Sequence, residues 1–356
     1  MKIILLYGGQ SAEHEVSILS AFSVLNAIYY NYYQVQLVYI TKEGQWLKGP
    51  LLTEKPASKE VLSLTVSNGG QPGETYGELI MPCQIKETNA IVFPLLHGPN
   101  GEDGTIQGFL ETIDVPYVGA GVLTSACGMD KITTKYLLQA AGIPQVPFVP
   151  VLKNQWKENP KKIFEQCEGS LLYPMFVKPA NMGSSVGISK AENREELQLA
   201  LEEAYRYDTR AVIEQGIEAR EIEVAILGNE DVRTTMAGEI VKDVAFYDYN
   251  SKYIDNNITM AIPAQIPDEV QVKAQEYAKL AYTMIGGSGL SRCDFFLTSK
   301  NELFLNELNT MPGFTQFSMY PALWEATGLQ YGDLIEELIQ LGLNRYEQHQ
   351  KFLVKL

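Results

Sequence analysis

The chain has little positive charge and no long apolar runs, and each shortage excludes a class of protein. Lysine and arginine number 28 against 43 aspartates and glutamates, and the net charge of −15 argues against sequence-independent binding to a nucleic-acid backbone. No uncharged apolar run reaches the roughly 18 residues that a membrane-spanning helix needs. The apolar run at residues 3–7 ends at Gly8, too early for a signal peptide, so we expect a cytoplasmic protein.

Cysteines are also few, and they are widely spaced, with no C-x-x-C pair that would indicate a zinc or redox motif. We expect them to be reduced, and either buried or incidental. They are Cys83, Cys127, Cys167 and Cys293. Apolar residues make up 46% of the chain and charged residues 20%, a balance that is typical of globular proteins and excludes global disorder.

The length of 356 residues allows two or three modules, and we expect three, at residues 1–122, 123–213 and 214–356. In the first, predicted strands at 2–7, 35–41 and 90–96 alternate with helical periodicity, which predicts an open α/β sheet. Residues 48–78 are polar and rich in turns, and we interpret them as an exposed excursion from this sheet.

The middle and C-terminal modules differ in their patterns. The middle module has a predicted helix that begins near Thr124 and ends at Gly142, followed by strands at 148–152 and 175–178. Further strands are predicted at 211–215, 221–227, 258–264, 290–298 and 302–308. One long helix at 268–285 interrupts this strand-rich region, and the mixture predicts an α+β module.

Two predicted strands near the C-terminus carry the most specific local pattern, RCD in one and NELN in the other. Side chains two positions apart share a face of a strand, so Arg292 points with Asp294, and Glu307 with Asn309. If the strands pair, the oxygens of Asp294, Glu307 and Asn309 converge, and Mg²⁺ prefers such ligands. The alternative is the solvent face of an ordinary hairpin.

Next to this pair, Gly313 lies in a Met-Pro-Gly segment whose backbone N–H could hold developing negative charge, although Pro-Gly is also typical of a simple turn. Lys178 ends a predicted strand and precedes a loop of small residues, NMGSSVG at 181–187. This loop, with Lys178 and the earlier Lys131, could surround phosphate oxygens, or it could be a flexible linker. The Walker A and G-x-G-x-x-G spacings are absent, so neither a P-loop nor a dinucleotide site is supported.

Two further candidates follow predicted strands of the first module, where open sheets bind their ligands. Glu13 lies in GGQSAEHE after the first strand, although the helix dipole alone could favour a carboxylate there. His97 lies in HGPNGEDG and is one of three histidines, so we favour a site residue over a core residue. Residues 244–253, VAFYDYNSKY, indicate a lid at about 244–257 or, alternatively, a satellite apolar cluster.

Together these motifs resemble the D-alanine–D-alanine ligase family of ATP-grasp enzymes over nearly the whole chain. The similar segments are GGQSAEHEVS, HGPNGEDGTIQG, MDK, FVKPANMGSSVGIS, EIEVAILGN, FYDYNSKY, RCDFF and NELNTMPGFTQFSMYP. The resemblance implies a three-module ATP-grasp architecture, α/β and α+β, with an N-terminal open parallel sheet and an antiparallel C-terminal sheet. It also implies a homodimer formed through the N-terminal module.

The resemblance further implies roles for individual residues. The nucleotide phosphates would be held by Lys131, Lys178 and Lys252, and the adenine and ribose would be flanked by Glu214, Ile217 and Glu221. Two Mg²⁺ or Mn²⁺ ions would be bound by Asp294, Glu307 and Asn309. The first D-alanine would place its ammonium on Glu13, in a hydrogen-bonded set with Ser184 and Tyr253, and the second would place its carboxylate on Ser318 and Met319.

The implied reaction joins two D-alanines through an acyl phosphate formed with ATP, for the synthesis of peptidoglycan precursors. Arg292 and the N–H of Gly313 would stabilise the tetrahedral oxyanion. Relatives that accept D-lactate often have phenylalanine at the position of Tyr253, so tyrosine here favours the dipeptide product. The alternatives are a D-alanine–D-lactate or other carboxylate–amine ligase, or a non-catalytic ATP-binding regulator.

Overall fold

The computed structural model describes residues 1–66, 75–242 and 258–352, which form three sheets that follow one another along the chain. The predicted lid at about 244–257, with Lys252 and Tyr253, lies outside the described residues. Within these three ranges, no helix is both long enough and apolar enough to cross a bilayer. All four cysteines are free, and Cys83 is exposed whereas Cys167 and Cys293 are buried.

The N-terminal sheet has six strands in the order β4-β5-β3-β2-β1-β6. They are β1 Lys2–Gly8, β2 Gln34–Ile40, β3 Trp46–Leu52, β4 Leu64–Val66, β5 Thr75–Ile80 and β6 Ala90–Leu95. The central strand β1 is parallel to both β2 and β6, as the alternating pattern predicts. The excursion predicted at residues 48–78 is wrong in part, because β3 and β5 extend the sheet in antiparallel pairing.

Three helices belong to the N-terminal region: α1 His14–Ala27, α2 Thr105–Thr112 and α3 Val122–Met129. The single helix predicted from Thr124 to Gly142 is two helices, α3 and α4 Lys131–Ala140, which are separated at Asp130. The Asp130 side chain accepts from the Thr133 N–H, so it caps the start of α4. The break places Lys131 in the first turn of a new helix.

The middle sheet is antiparallel, with the order β7-β10-β8-β9. Its strands are β7 Phe148–Leu152, β8 Met175–Pro179, β9 Ser189–Ala191 and β10 Arg210–Gln215. Helices α5 Lys153–Glu158, α6 Pro160–Ser170 and α7 Arg194–Ala204 follow their caps, of which Asn159 and Asn193 accept backbone N–H groups. One face of the sheet packs against α6 and α7 in an apolar core, which leaves Lys178 and Glu214 on the other face.

The C-terminal sheet is also antiparallel, in the order β14-β13-β11-β15-β16, with β12 paired to β11. Its strands are β11 Arg220–Leu227, β12 Arg233–Thr234, β13 Gly238–Lys242, β14 Ile258–Ala261, β15 Leu290–Leu297 and β16 Leu303–Asn309. Helix α8 Asp268–Met284 covers it, and Gly286, at φ +68°, follows the helix end as predicted. Helices α9 Met319–Ala326 and α10 Tyr331–Gln350 end the described chain.

The largest apolar core joins the two ends of the chain. It contains Leu5 and Phe93 from the N-terminal sheet together with Phe314, Leu334 and Leu338 from the C-terminal region. Each of these side chains is fully buried, and burial of an apolar side chain contributes about 1.5 to 3 kcal/mol. This shared core places the loops after β1 and β6 beside the segment that follows β16.

Candidate active site

The two C-terminal strands pair as predicted and bring their polar residues together. In the antiparallel register of β15 and β16, Asp294 is opposite Glu307 and Arg292 is opposite Asn309. Arg292 donates from Nε and Nη2 to the two oxygens of Asp294, at 2.7 and 2.6 Å. Asn309 Nδ2 donates to Asp294 Oδ2 at 2.8 Å. Because the side chains of Arg292 and Asp294 are only 16% and 15% exposed, this face is not an open solvent face.

A further carboxylate, Glu223 on β11, completes the surroundings of Arg292. Its Oε2 lies 2.9 Å from Arg292 Nε, and its side chain is 5% exposed. Burial by itself lowers the pKa of Arg292, but Asp294 and Glu223 raise that pKa well above its ordinary value. Arg292 is therefore a permanent cation whose position is fixed by two carboxylates.

Asp294, Glu307 and Asn309 supply oxygen atoms that suit a hard divalent cation. Among the residues that the structure describes, no group of three or more His, Cys, Asp and Glu side chains could hold a metal by itself. Mg²⁺ is usually bound through one or two carboxylates, with substrate phosphates and water completing its shell. Two carboxylates and one amide therefore fit a metal that is bound together with a nucleotide.

Lys178 connects the middle sheet to this strand pair. Its Nζ donates to Asn306 Oδ1 on β16 at 3.3 Å and lies 2.8 Å from Glu214 Oε2. Burial lowers the pKa of Lys178, but the nearby carboxylates, Glu214 first and Glu307 after it, raise that pKa above its ordinary value. The basic residue of the middle module is thus a cation beside the acidic strand pair.

Lys131 lies on the same side of the site. Its Nζ donates to the carbonyl oxygen of Met182 at 2.5 Å, which attaches helix α4 to the loop after β8. Burial and the neighbouring Lys178 lower the pKa of Lys131, against the opposing effect of Glu307. Two lysines close to each other and to a carboxylate form a cluster that could accept additional negative charge.

The loop after β8 has turn geometry. Ser184 and Ser185 have φ of +49° and +59°, and Gly187 has +72°. Consecutive left-handed residues are uncommon outside glycine, and such turns direct backbone N–H groups into a concave surface that suits anions. Asp208 Oδ2 accepts from the Asn181 N–H at 2.9 Å and holds the start of the loop. This geometry favours the phosphate-binding interpretation over a linker.

Glu13 meets the same loop from the N-terminal module. Ser184 Oγ donates to Glu13 Oε1, and the carboxylate also packs over Gly98 and Gly183, where an added Cβ would lie 2.6 and 3.2 Å from Glu13 Oε2. Glu13 is the residue before α1, but its side chain makes no capping bond to that helix. The carboxylate is therefore directed across the interface between modules and is not a helix cap.

His97 is buried, 4% exposed, and connects three segments. Its Nδ1 lies 3.2 Å from the Met311 carbonyl oxygen and 3.7 Å from Glu102 Oε1, and its Nε2 lies 3.1 Å from Ser20 Oγ. Burial lowers the pKa of His97, but Glu102 and Glu13 raise it above its ordinary value overall. The imidazole thus ties the loop after β6 to the segment that contains Gly313.

The remaining predicted residues lie at the rim of this space. A Cβ at Gly313 would lie 3.2 Å from Ser318 Oγ, and Ser318 Oγ accepts from the Thr315 N–H at 3.1 Å. Ser318 is the residue before α9, whereas the Met319 side chain is in the apolar core and leaves only its backbone for a ligand. Ile217 and Glu221 are half-buried between β10 and the start of β11.

Glu214 has a different environment from the one that an adenine contact implies. Its side chain is 4% exposed, and its two oxygens lie 2.9 Å from Lys135 Nζ and 2.8 Å from Lys178 Nζ. Sequence reasoning missed Lys135, although it follows Lys131 by four residues on α4, a spacing that puts both on one helix face. It also missed Glu102 and Glu223, which lie inside segments that were singled out for other residues.

Comparisons with known proteins agree with this architecture. The sequence matches two family models, described as "D-ala D-ala ligase N-terminus" over residues 2–120 and "D-ala D-ala ligase C-terminus" over residues 137–340. It is 79% identical to a D-alanine--D-alanine ligase of Enterococcus hirae, with 99% of both chains covered, and 75% identical to one of Enterococcus faecalis, with 98% and 100% covered.

Among solved structures, a D-alanine-D-alanine ligase from Coxiella burnetii superimposes with a TM-score of 0.81 at 34% identity, covering 99% of this chain and 97% of that one. The VanG D-Ala:D-Ser ligase from Enterococcus faecalis superimposes with a TM-score of 0.79 at 33% identity, covering 96% and 99%.

Proposed function

The chain belongs to the D-alanine–D-alanine ligase family, and we propose that it joins two D-alanines in an ATP-dependent, ADP-forming reaction. The observation that carries this proposal is the pairing of Asp294 with Glu307 across β15 and β16, beside the cation of Lys178. Acids, an amide and lysines in one place are what phosphoryl transfer needs. The product would serve as a precursor of peptidoglycan.

In the first step, a carboxylate oxygen of one D-alanine attacks the γ-phosphorus of ATP and ADP leaves. Lys131, Lys178 and Lys252 hold the phosphates, while Ile217 and Glu221 flank the adenine and ribose. Glu214 contributes by orienting Lys178, because both of its oxygens face lysines. Two Mg²⁺ or Mn²⁺ ions, held by Asp294, Glu307 and Asn309, would neutralise charge on the phosphates.

Binding of the first D-alanine is assigned to the interface between Glu13 and Ser184. The Glu13 carboxylate is buried, 7% exposed, and a buried carboxylate is a strong partner for an ammonium group. Ser184 holds Glu13 by donating its hydroxyl hydrogen, and Tyr253 would complete the set. His97 is a positioning residue here, since it fixes the Met311 carbonyl near Gly313.

In the second step, the amine of the second D-alanine attacks the acyl phosphate carbon, phosphate leaves, and the new amide loses a proton. The carboxylate of this D-alanine would lie at Ser318 and the backbone N–H of Met319, at the positive end of α9. Arg292 and the Gly313 N–H would meet the oxyanion, a type of contact worth about 3 to 4 kcal/mol in other enzymes.

We also propose a homodimer formed through the N-terminal module, in the cytoplasm. Large apolar side chains are exposed on the outer strands of that module, namely Leu51, Val66, Tyr76, Leu79 and Met81. Such clusters on a protein surface often mark contact with another chain. Light scattering would test this directly: a particle of one chain's mass contradicts it, and Leu79→Glu should convert a dimer to monomers.

The module boundaries proposed at residues 122 and 213 are supported by the sheets, since β1–β6 precede the first and β11–β16 follow the second. Strand β10 crosses the second boundary, because it ends at Gln215. Limited proteolysis should cut near these boundaries before it cuts inside a sheet.

The proposed reaction is tested by ADP release with D-alanine, L-alanine, D-serine and D-lactate in parallel, with each product identified by mass. We expect D-alanine alone to elicit ADP and to yield the dipeptide. ADP release with D-lactate or D-serine added would instead indicate one of the alternative ligases. Nucleotide binding without ADP release from any substrate would indicate the non-catalytic regulator.

A further inference from the structure

Lys135 is a buried lysine that the proposed reaction does not use. Its side chain is 1% exposed, and its Nζ lies 2.9 Å from Glu214 Oε1 and 5.3 Å from the centre of the Phe148 ring. Removing an ammonium group from water costs several kcal/mol, and an apolar residue of similar volume often stabilises such a position better. A lysine here therefore requires an explanation other than stability.

The partner of Lys135 is shared with a residue of the nucleotide site. Glu214 presents Oε1 to Lys135 and Oε2 to Lys178, so each lysine occupies one oxygen of the carboxylate. Lys178 then reaches Asn306, the neighbour of Glu307, with its remaining donors. The orientation of Lys178 toward the acidic strands thus depends on a carboxylate whose own orientation depends on Lys135.

The charges in this cluster do not cancel. Burial raises the pKa of Glu214, but Lys135 and Lys178 lower it to about 2, so the carboxylate is ionised at neutral pH. Two ammonium groups and one carboxylate leave one net positive charge in surroundings where charges interact strongly. If Lys135 were uncharged, Glu214 could neutralise Lys178 completely and turn both oxygens toward it.

We propose that Lys135 is a positioning residue for the nucleotide: by occupying one oxygen of Glu214, it orients Lys178 and preserves one positive charge for the phosphates. Lys135 itself touches no phosphate and no reacting atom in this scheme. The inference rests on the proposed function, because it takes Lys178 to be a phosphate ligand.

The test uses charge arithmetic in the full-length protein. Lys135→Met removes one positive charge and lowers the net charge of the cluster from +1 to 0, whereas Lys135→Met with Glu214→Gln restores it to +1. Glu214→Gln alone raises it to +2. Lys153→Met is the matched control, since Lys153 also contacts an aromatic ring, Tyr205, and a backbone oxygen at 2.6 Å, but no carboxylate within hydrogen-bonding distance is described for it.

Calorimetry with Mg²⁺ and ADP gives the dissociation constant, and steady-state kinetics give separate KM values for ATP and D-alanine. We expect Lys135→Met to weaken ADP binding and to raise the KM for ATP by roughly tenfold or more, with the KM for D-alanine changed by less than about twofold. The double variant should recover most of the ADP affinity, because its cluster again carries one positive charge. The control should bind ADP like the wild type.

Wild-type affinity in Lys135→Met, or a double variant as weak as the single one, would overturn the inference. If Lys135→Met does not fold, Glu214→Gln is compared with the double variant, which has one positive charge fewer and must bind ADP more weakly; equal affinities overturn the inference as well. Failure of the wild type to bind ADP would instead refute the proposed function.

Discussion

Arg292 offers a sharp test of the link between burial, charge and catalysis. It makes three contacts of 2.6 to 2.9 Å with Asp294 and Glu223, and its side chain is 16% exposed. Replacing it by methionine keeps much of the volume but leaves two buried carboxylates without their common cation. We expect a loss of both stability and turnover, for separate physical reasons.

The size of each loss follows from the contacts. Breaking a buried ion pair by removal of one partner costs about 3 to 5 kcal/mol, mainly because the remaining charge is left uncompensated. Loss of a donor to the oxyanion reduces kcat by about 10²- to 10³-fold. Arg292→Lys should restore part of the stability but little of the turnover, because one ammonium cannot reproduce a two-pronged contact.

Arg220→Met is the matched control for Arg292→Met. Arg220 also bonds a single carboxylate through Nε and Nη2, at 2.7 and 2.6 Å to Glu239, but its side chain is 41% exposed. Exposed ion pairs contribute about 0 to 1 kcal/mol. Urea unfolding and kcat at saturating substrates are measured for both variants. Equal stability losses would refute the argument from burial, and a normal kcat in Arg292→Met would refute its role at the oxyanion.

Three further predictions concern the metal, the product and the acid stability of the chain. Glu307→Gln should bind ATP weakly and turn over almost no substrate at any Mg²⁺ concentration; a near-normal kcat would remove its metal role. Tyr253→Phe should gain incorporation of D-lactate, and unchanged product ratios between about pH 6 and pH 9 would count against that assignment. The pKa of Glu214, which burial raises but two lysines lower from 4.5 to about 2, predicts that stability present above pH 4.5 is lost as the pH falls toward 2. Glu214→Gln should remove about 3 kcal/mol of this acid dependence, and parallel unfolding curves for variant and wild type would contradict it.

Local patterns in the sequence predicted the elements and most of the site well. Strand β1, strand β16 and helix α8 lie within two residues of their predicted bounds, because side-chain periodicity and end signals act over a few residues. The alternation along β15 and β16 placed Arg292 with Asp294 before any pairing was known. The ordered motifs then predicted the family that the comparisons show.

Other features depended on contacts between distant parts of the chain. The break at Asp130 and the strands inside residues 48–78 have weak local signals, and they form because neighbouring elements complete their packing and backbone hydrogen bonds.

Sequence alone thus determined which chemical groups are present and which strand face each one shares, since these follow from covalent spacing. Tertiary structure alone decided which groups meet. Glu214 accepts two lysines from α4 and β8, and Glu13 meets Ser184 across two modules, because packing of separate sheets brings distant residues into contact. No spacing rule contains that information, since long-range contacts depend on the whole core and not on neighbours along the chain.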